Sequence, residues 1–339
     1  LPRGGTREDG WSAGPAADAA VAAAEAEREA FLRDVSRGLR ARPKALSSRF
    51  FYDAEGSRLF EAIMGLPEYY LTSCEARILE TRSGDILDAF GPEPFHLADL
   101  GAGNGAKTRL LLAQGLRSGS LLGYAPVDVS ADALAKLASS LAAEHPGLRV
   151  DPLEGDYLEA LSIHPSDPPG RRLVLFLGSN IGNFPRAPAV GFLRGLRAAL
   201  GPGDGLLIGC DLRKEPRRIL RAYSDSAGVT ARFNLNLLER INRELDAGFR
   251  TEDFRHVAAY DEEGGEARSY LVSRRRHAVR IGAAGFTACF EEGEAIHTES
   301  SFKYSPEEIE AMARESGFAP KAHFRDPTGS FVDSLWFPA

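Results

Sequence analysis

At 339 residues with 43% hydrophobic content, the chain is long enough to bury a full α/β core together with a second, smaller lobe. A formal charge of −7 argues against the concentrated basic face that nucleic-acid binding requires; the densest basic run, Arg274 to Arg276, reads as a solvated strand edge. Cys74, Cys210 and Cys289 lack metal or CxxC spacing, and no stretch approaches about 18 uninterrupted apolar residues, so a cytoplasmic protein without metal or membrane partner is expected.

Residues 1–17 are rich in Gly, Pro and Ala and read as a flexible leader. From Asp18 to Arg42 the spacing of Val21, Ala24, Phe31, Leu32, Val35 and Leu39 predicts an amphipathic surface helix, ended by Pro43. An aromatic loop follows, and Thr72 with Glu75 reads as a capping box for a helix running toward Thr81. From Phe95 the rhythm becomes apolar strand, Gly-rich or acidic turn, helix. Strands are expected at 96–100, 121–127, 148–153, 171–177 and 204–211, with helices near 106–115, 131–144, 156–161, 187–200 and 214–225. Residues 226–303 break that pattern: they are aromatic and polar, with strand-like alternation in EARSYLVSRRRHAVRI and FTACFEEGEAIHTE. SPEEIEAMARESGF then predicts a capped helix, and short strands near 320–325 and 331–337 return to the sheet. The expected layout is a nucleotide-type sheet domain (81–215 and 304–339) interrupted by a substrate-binding lid (216–303), which the segment 18–80 joins.

The stretch LADLGAGNGAKTRLLL, residues 97–112, carries the first chemistry. Its GxGxG turn brings backbone N–H groups close to a ligand without the usual GxGxxG pyrophosphate fingerprint. One strand later Asp128 sits where an acid accepts both hydroxyls of a ribose, and Ser130 is free to cap the following helix. A strand further on, Asp156 and Tyr157 stand where an adenine amine and ring would lie. Three features in register on successive strands describe a site for S-adenosylmethionine. The fold class expected is α/β: a class I S-adenosylmethionine-dependent methyltransferase with a Rossmann-like doubly wound sheet and an inserted α+β lid. The fourth strand ends in LFLGSNIGNFP instead of the Asn-Pro-Pro-Tyr of DNA and protein-amide methyltransferases, and Asn183 taken alone is a turn residue.

Four longer stretches carry a resemblance: FFYDAEGSRLFEAIMGLPEYYLT, LGSNIGNF, AYSDSAGVTARFNLNLLERINREL and EAIHTESSFKYSPEE. In this order, and over about residues 45–337, the chain resembles the L-histidine Nα-methyltransferases of ergothioneine biosynthesis. The resemblance implies three methyl transfers from S-adenosyl-L-methionine to the α-amino group of L-histidine, giving hercynine, the trimethyl betaine. It implies that Asn183 and Tyr223 hold the substrate carboxylate, that Glu299 and Ser301 bind the imidazole with Tyr69 as a further contact, and that Tyr52 and the Gly178 carbonyl surround the amine. On the donor side it implies Gly101, Lys107, Asp128, Asp156 and Tyr157, with Lys107 on the methionine carboxylate. Tyr52 is the candidate catalytic residue, assisting proton removal directly or through water.

Taken without the resemblance, Tyr52 and Tyr69 read as core aromatics beside Phe50, Phe51, Phe60 and Tyr70, Tyr223 as a surface tyrosine, and Glu299 as a solvated strand end. His297 is left out of the site. Leu71 stands where PEYYPT is usual in the family, and Ser269 and Ala295 fall at variable positions near the pocket. A fungal branch of the family methylates a prenylated tryptophan, but Glu299 with Ser301 favours imidazole over indole. Two alternatives stay open: an N-methyltransferase of another amino acid or derivative, and a non-enzymatic S-adenosylmethionine sensor. A monomer acting on a small molecule is expected.

Overall fold

The computed structural model describes residues 15–155, 157–158 and 170–339. Most of the expected leader lies outside the described residues, as do Asp156 and residues 159–169; of the helix expected near 156–161, Tyr157 and Leu158 are described and are helical. The chain divides into two compact units. One comprises Arg58–Thr230, Val257–Ser269 and Glu299–Ala339, and the other Leu1–Ser57 as far as described, Ala231–His256 and Tyr270–Thr298.

In chain order the strands are β1 (Lys44–Ala45), β2 (Phe95–Leu100), β3 (Leu121–Asp128), β4 (Leu153–Glu154), β5 (Arg171–Phe176), β6 (Gly205–Asp211), β7 (Phe254–Asp261), β8 (Glu266–Ser273), β9 (His277–Ile281), β10 (Phe286–Phe290), β11 (Ala295–Phe302), β12 (Phe318–Arg325) and β13 (Phe331–Pro338). The larger unit is built on a seven-stranded sheet of order β12–β13–β6–β5–β2–β3–β4. Strands β6, β5, β2, β3 and β4 are parallel, and β13 is antiparallel to both β6 and β12. The two closing strands therefore return as a hairpin on one edge. Strand order reverses at β2, so the carboxyl end of β2 is the switch point where such sheets bind ligands.

Helices on both faces explain why these strands read as apolar runs. All six residues of β2 are buried. Leu97 and Tyr124 share one layer with Ile78, Leu79 and Leu111, whereas Ala98, Leu100 and Val174 share the other with Leu193, Leu196 and Met312. The helix Pro306–Glu315 starts on the expected cap: Ser305 Oγ accepts the Glu308 N–H, and the Glu308 side chain accepts the Ser305 N–H at 2.7 Å.

Two local expectations fail. The helix Tyr70–Phe90 begins two residues before Thr72, with Tyr69 at its N-cap, and runs past Thr81. Glu75 caps nothing: it is fully buried, and its carboxylate accepts the Gly178 N–H at 2.7 Å and pairs with Lys107. The second is a long helix, Val229–Leu245, in an aromatic and polar stretch for which no helix is expected. Phe233, Leu237, Leu238, Ile241 and Leu245 all lie on its buried side, a 3.6-residue stripe that Asn234 and Asn236 obscure. At the start of that helix the Asp225 carboxylate accepts the N–H groups of Val229 and Thr230 at 2.8 and 2.7 Å.

The smaller unit has its own aromatic core. Phe249, Phe254 and Phe290 meet with centroids 5.3–6.1 Å apart, and β9 and β10 form an antiparallel hairpin. Arg240 lies over the Phe31 ring and donates to the Phe50 carbonyl at 3.0 Å, tying the helix to the segment around β1. A second sheet has the order β1–β11–β8–β7.

Gly209, in the middle of β6, marks a close approach between the sheet and its neighbours. A Cβ there would collide with Glu75 Oε1 and lie 3.2 Å from Phe331 and 3.3 Å from Asp333. Gly209→Ala is expected to destabilise the protein by about 1–3 kcal/mol, read as a lower urea midpoint with an unchanged m-value.

Candidate active site

The donor side is built at the switch point. Gly101, Gly103 and Gly105 all adopt positive φ (78°, 53° and 66°), which only glycine takes without strain. The turn is pinned to the end of β3: the Gly101 and Ala102 N–H groups donate to the Val127 carbonyl at 2.8 and 3.1 Å, and the Gly103 N–H donates to Asp128 Oδ2 at 3.0 Å. Asp128 Oδ1 accepts the Ser130 N–H at 3.0 Å, and Ser130 caps the next helix as expected. Two of the four acceptor positions of the Asp128 carboxylate are thus used by backbone, and two are left for hydroxyl groups. Among the described residues, chain neighbours aside, no heavy atom lies within 4 Å of a Cβ placed on Gly103, so the backbone can be approached there. Around Gly101 the space is filled instead, by Tyr157 Oη at 3.1 Å and Asn180 Nδ2 at 3.4 Å. Tyr157 itself rests against Phe176 and Phe192, at 5.7 and 6.1 Å.

Lys107 stands at the start of the helix Thr108–Ser118, and its ammonium pairs with buried Glu75. A Cβ on Gly178 would lie 3.5 Å from the same ammonium, so Lys107, Glu75 and Gly178 form one cluster. Behind it, both carboxyl oxygens of Asp333 are buried without a hydrogen-bond partner among the described residues. Burial and the neighbouring Glu75 push the Asp333 carboxyl well above its ordinary range, against the pull of Lys107.

The acceptor side gathers at the carboxyl end of β6 and the end of β11. Alternation along β11 puts Glu299 and Ser301 on one face. Glu299 is half-buried, and its Oε2 accepts from Ser269 Oγ at 3.3 Å. Burial raises the Glu299 carboxyl above its ordinary value, while Lys303 and the Ser269 bond oppose the shift. Tyr223 closes the helix Pro216–Tyr223 and is only 6% exposed, so the surface reading of this residue is wrong: Ile219, Ala222 and Tyr223 form the buried side of a short helix. Burial, with Glu299 and Asp211 nearby, pushes its phenol well above the ordinary value and keeps it a hydrogen-bond donor.

Sequence reasoning missed what joins these residues. Lys303 is fully buried, and its ammonium donates to Tyr223 Oη at 2.7 Å and Ser301 Oγ at 2.8 Å, with Asp211 Oδ2 at 3.1 Å. Asp211 also accepts from Tyr70 Oη at 2.8 Å and pairs with Lys214. The loop after β5 is pinned to the same place, because the Asp211 N–H donates to Ser179 Oγ at 3.0 Å. Gly178 and Asn183 flank that serine; Gly178 has φ 76°, and Asn183 ends the short 3-10 helix Asn180–Asn183 with its side chain exposed.

The structure thus brings Tyr223, Glu299 and Ser301 into one cluster and carries Gly178 and Asn183 on the loop beside it. Tyr69 is half-buried at the N-cap of Tyr70–Phe90, edge-on to Phe60 at 6.2 Å. Leu71 occupies the first turn of that helix, where N–H groups have no intrahelical acceptor, so leucine in place of proline leaves the helix start intact. Tyr52 belongs to the smaller unit; it is 47% exposed, with its ring 5.8 Å from Phe233, so it is not a core aromatic. Asp156 lies outside the described residues.

A parallel sheet with this strand order, an antiparallel closing hairpin and an acid at the end of the strand next to a GxGxG turn defines a class I S-adenosylmethionine-dependent methyltransferase. Residues 31–338 match the model of a family described as histidine-specific, S-adenosylmethionine-dependent methyltransferases, and the chain belongs to that family. It is 44% identical to the histidine N-alpha-methyltransferase of Mycolicibacterium smegmatis, over 92% of this chain and 96% of that one. It is 34% identical to the ergothioneine biosynthesis protein 1 of Neurospora crassa, over 81% of this chain and 31% of that protein. A 4-dimethylallyltryptophan N-methyltransferase of Claviceps fusiformis is 28% identical, over 84% of this chain and 85% of the other.

Asp128→Ala is expected to weaken S-adenosylhomocysteine binding by about 10- to 100-fold, the loss of hydrogen bonds to a charged acceptor. Isothermal titration checks it.

Proposed function

We propose that the enzyme transfers three methyl groups in succession from S-adenosyl-L-methionine to the α-amino group of L-histidine, giving hercynine for ergothioneine biosynthesis. The observation that carries this reading is the grouping of Tyr223, Glu299 and Ser301 around one buried cation. A phenol that stays protonated suits a carboxylate. A half-buried carboxylate next to a serine hydroxyl suits the N–H and N of an imidazole, and discriminates against rings without them.

In this reading Asn183 and Tyr223 hold the substrate carboxylate, Glu299 and Ser301 the imidazole with Tyr69 beside it, and Tyr52 with the Gly178 carbonyl surrounds the amine. Gly101, Lys107, Asp128, Asp156 and Tyr157 hold the methyl donor. Lys107 retains two ammonium protons beyond its bond to Glu75, enough to meet a methionine carboxylate. Bound S-adenosylmethionine supplies an electrophilic sulfonium methyl whose leaving group is a neutral thioether and needs no acid. The protein's part is to fix the α-carbon by its carboxylate and ring, to exclude water, and to present the amine unprotonated. With an ordinary α-amino pKa near 8, a usable fraction of free amine exists at neutrality, so alignment supplies most of the acceleration. Tyr52 assists removal of the proton released at each step.

Incubation with histidine and S-adenosylmethionine is expected to yield mono-, di- and trimethylated histidine by mass spectrometry, with one S-adenosylhomocysteine released per methyl. Turnover of tryptophan or other amino acids at equal efficiency, or no turnover of histidine, would refute the assignment. Glu299→Gln should lower kcat/KM for histidine by about a hundredfold or more. Tyr52→Phe should slow the individual methylation steps; unchanged rates at all three would remove it from proton transfer.

A further inference from the structure

We infer that Lys303 is a positioning residue for the amino-acid substrate: its buried ammonium fixes the direction in which the Tyr223 and Ser301 hydroxyls present their protons, and so sets both anchors of the substrate at once. The inference rests on the assignment of Tyr223 and Ser301 to the substrate.

An ammonium has three protons and no acceptor. Lys303 directs them at Tyr223 Oη (2.7 Å), Ser301 Oγ (2.8 Å) and Asp211 Oδ2 (3.1 Å). Both hydroxyl oxygens therefore face the lysine as acceptors, and neither can give its proton in that direction. Each hydroxyl is turned so that its O–H points away from the cation. A phenol held in this way is a donor of fixed direction, which a carboxylate needs. The serine is the other end of the same arrangement, two residues from Glu299 on the same face of β11. One cation thus links the side chain assigned to the substrate carboxylate with the pair assigned to its ring.

Asp211 is what keeps this polarity. A fully buried amine without a counter-charge tends to lose its proton, and a neutral amine would accept from Tyr223 and take the donor away from the substrate. Asp211 is itself fully buried and held by Tyr70 and by Lys214, so it is not free to turn aside. The backbone N–H of Lys303 donates to the Gly265 carbonyl at 2.7 Å and that of Tyr304 to the Asp211 carbonyl at 2.9 Å, which fixes the backbone under both charges.

The test is a double-mutant cycle with Lys303→Met and Tyr223→Phe, titrating histidine calorimetrically into enzyme saturated with S-adenosylhomocysteine. Lys303→Met leaves Asp211 with Tyr70 and Lys214, so the fold should survive, and S-adenosylhomocysteine affinity should stay within about twofold. Each single change is expected to raise the Kd for histidine by about 10- to 100-fold. The double variant should lose little more than the worse single one, a coupling of about tenfold or greater. A loss of histidine affinity in Lys303→Met that simply multiplies with that of Tyr223→Phe, or no loss at all, overturns the inference. Tyr223→Phe without effect on histidine binding in an otherwise normal enzyme refutes instead the assignment of Tyr223 to the substrate, and the inference falls with it. If Lys303→Met does not bind S-adenosylhomocysteine, Lys303→Gln, which keeps a donor without the charge, enters the same cycle under the same two criteria.

Discussion

The polar cluster that joins β6, β11 and the helix Pro216–Tyr223 depends on one buried carboxylate at the carboxyl end of β6. Asp211 holds Lys303 and Lys214 and receives the Tyr70 hydroxyl, all largely out of contact with water. Taking such charges from water costs several kcal/mol per ion, and the mutual attraction offsets that only when each lone pair and proton has a partner. Here all three Lys303 protons are directed at Tyr223, Ser301 and Asp211, and Asp211 also accepts from Tyr70. The cluster is therefore better understood as a device for orientation than as a source of stability. It converts two hydroxyl groups, which alone rotate freely, into donors with a set direction.

A parallel arrangement exists beneath the methyl-donor turn. Glu75 projects from a helix into the sheet's carboxyl edge, where it accepts the Gly178 N–H and pairs with Lys107. Gly209 leaves the room for it. A single carboxylate thereby joins the helix Tyr70–Phe90, the helix after the glycine turn and the loop after β5. In the neighbouring Asp333, buried and unpartnered among the described residues, burial and the same negative charge raise the carboxyl well above its ordinary range. Two buried acids thus organise the two sides of the site in the same way: each ties a lysine from one element to backbone or hydroxyl groups of others.

This division of labour suits methyl transfer to an amine. The reaction needs little acid or base strength and much alignment, and what both clusters share is geometry under electrostatic control. Pre-directed donors cost no reorganisation when the substrate arrives. A half-buried Glu299, its carboxyl raised by burial against the pull of Lys303 and the Ser269 bond, completes the set.

Features governed by neighbours along the chain are legible in the order of residues alone. The apolar runs of β2, β3, β5 and β6, the GxGxG turn, Asp128 at a strand end and the Ser305–Glu308 box follow from periodicity, positive φ and local capping, and each lies where the sequence puts it. The helix Val229–Leu245 is legible in its apolar stripe, although its two asparagines hide it. Glu75 is not: beside Thr72 it reads as a cap, and only the Gly178 N–H, 103 residues away, makes it a core acid. An acid between Cys74 and Ile78 on a buried helix face is the one available hint. The candidate residues Tyr223, Glu299 and Ser301 could be named by resemblance, but not their common partner. The Lys303 to Tyr223 bond spans 80 residues, and Lys303 in FKYSPEE looks like any solvated lysine. The sequence by itself determined the strands β2, β3, β5 and β6, the glycine turn and the chemical types at the site, because these depend on short-range sterics and periodicity; the strand expected at 148–153 is reduced to Leu153–Glu154. Only the tertiary structure decided which charges meet, because burial and distance between remote side chains do not exist until the chain has folded.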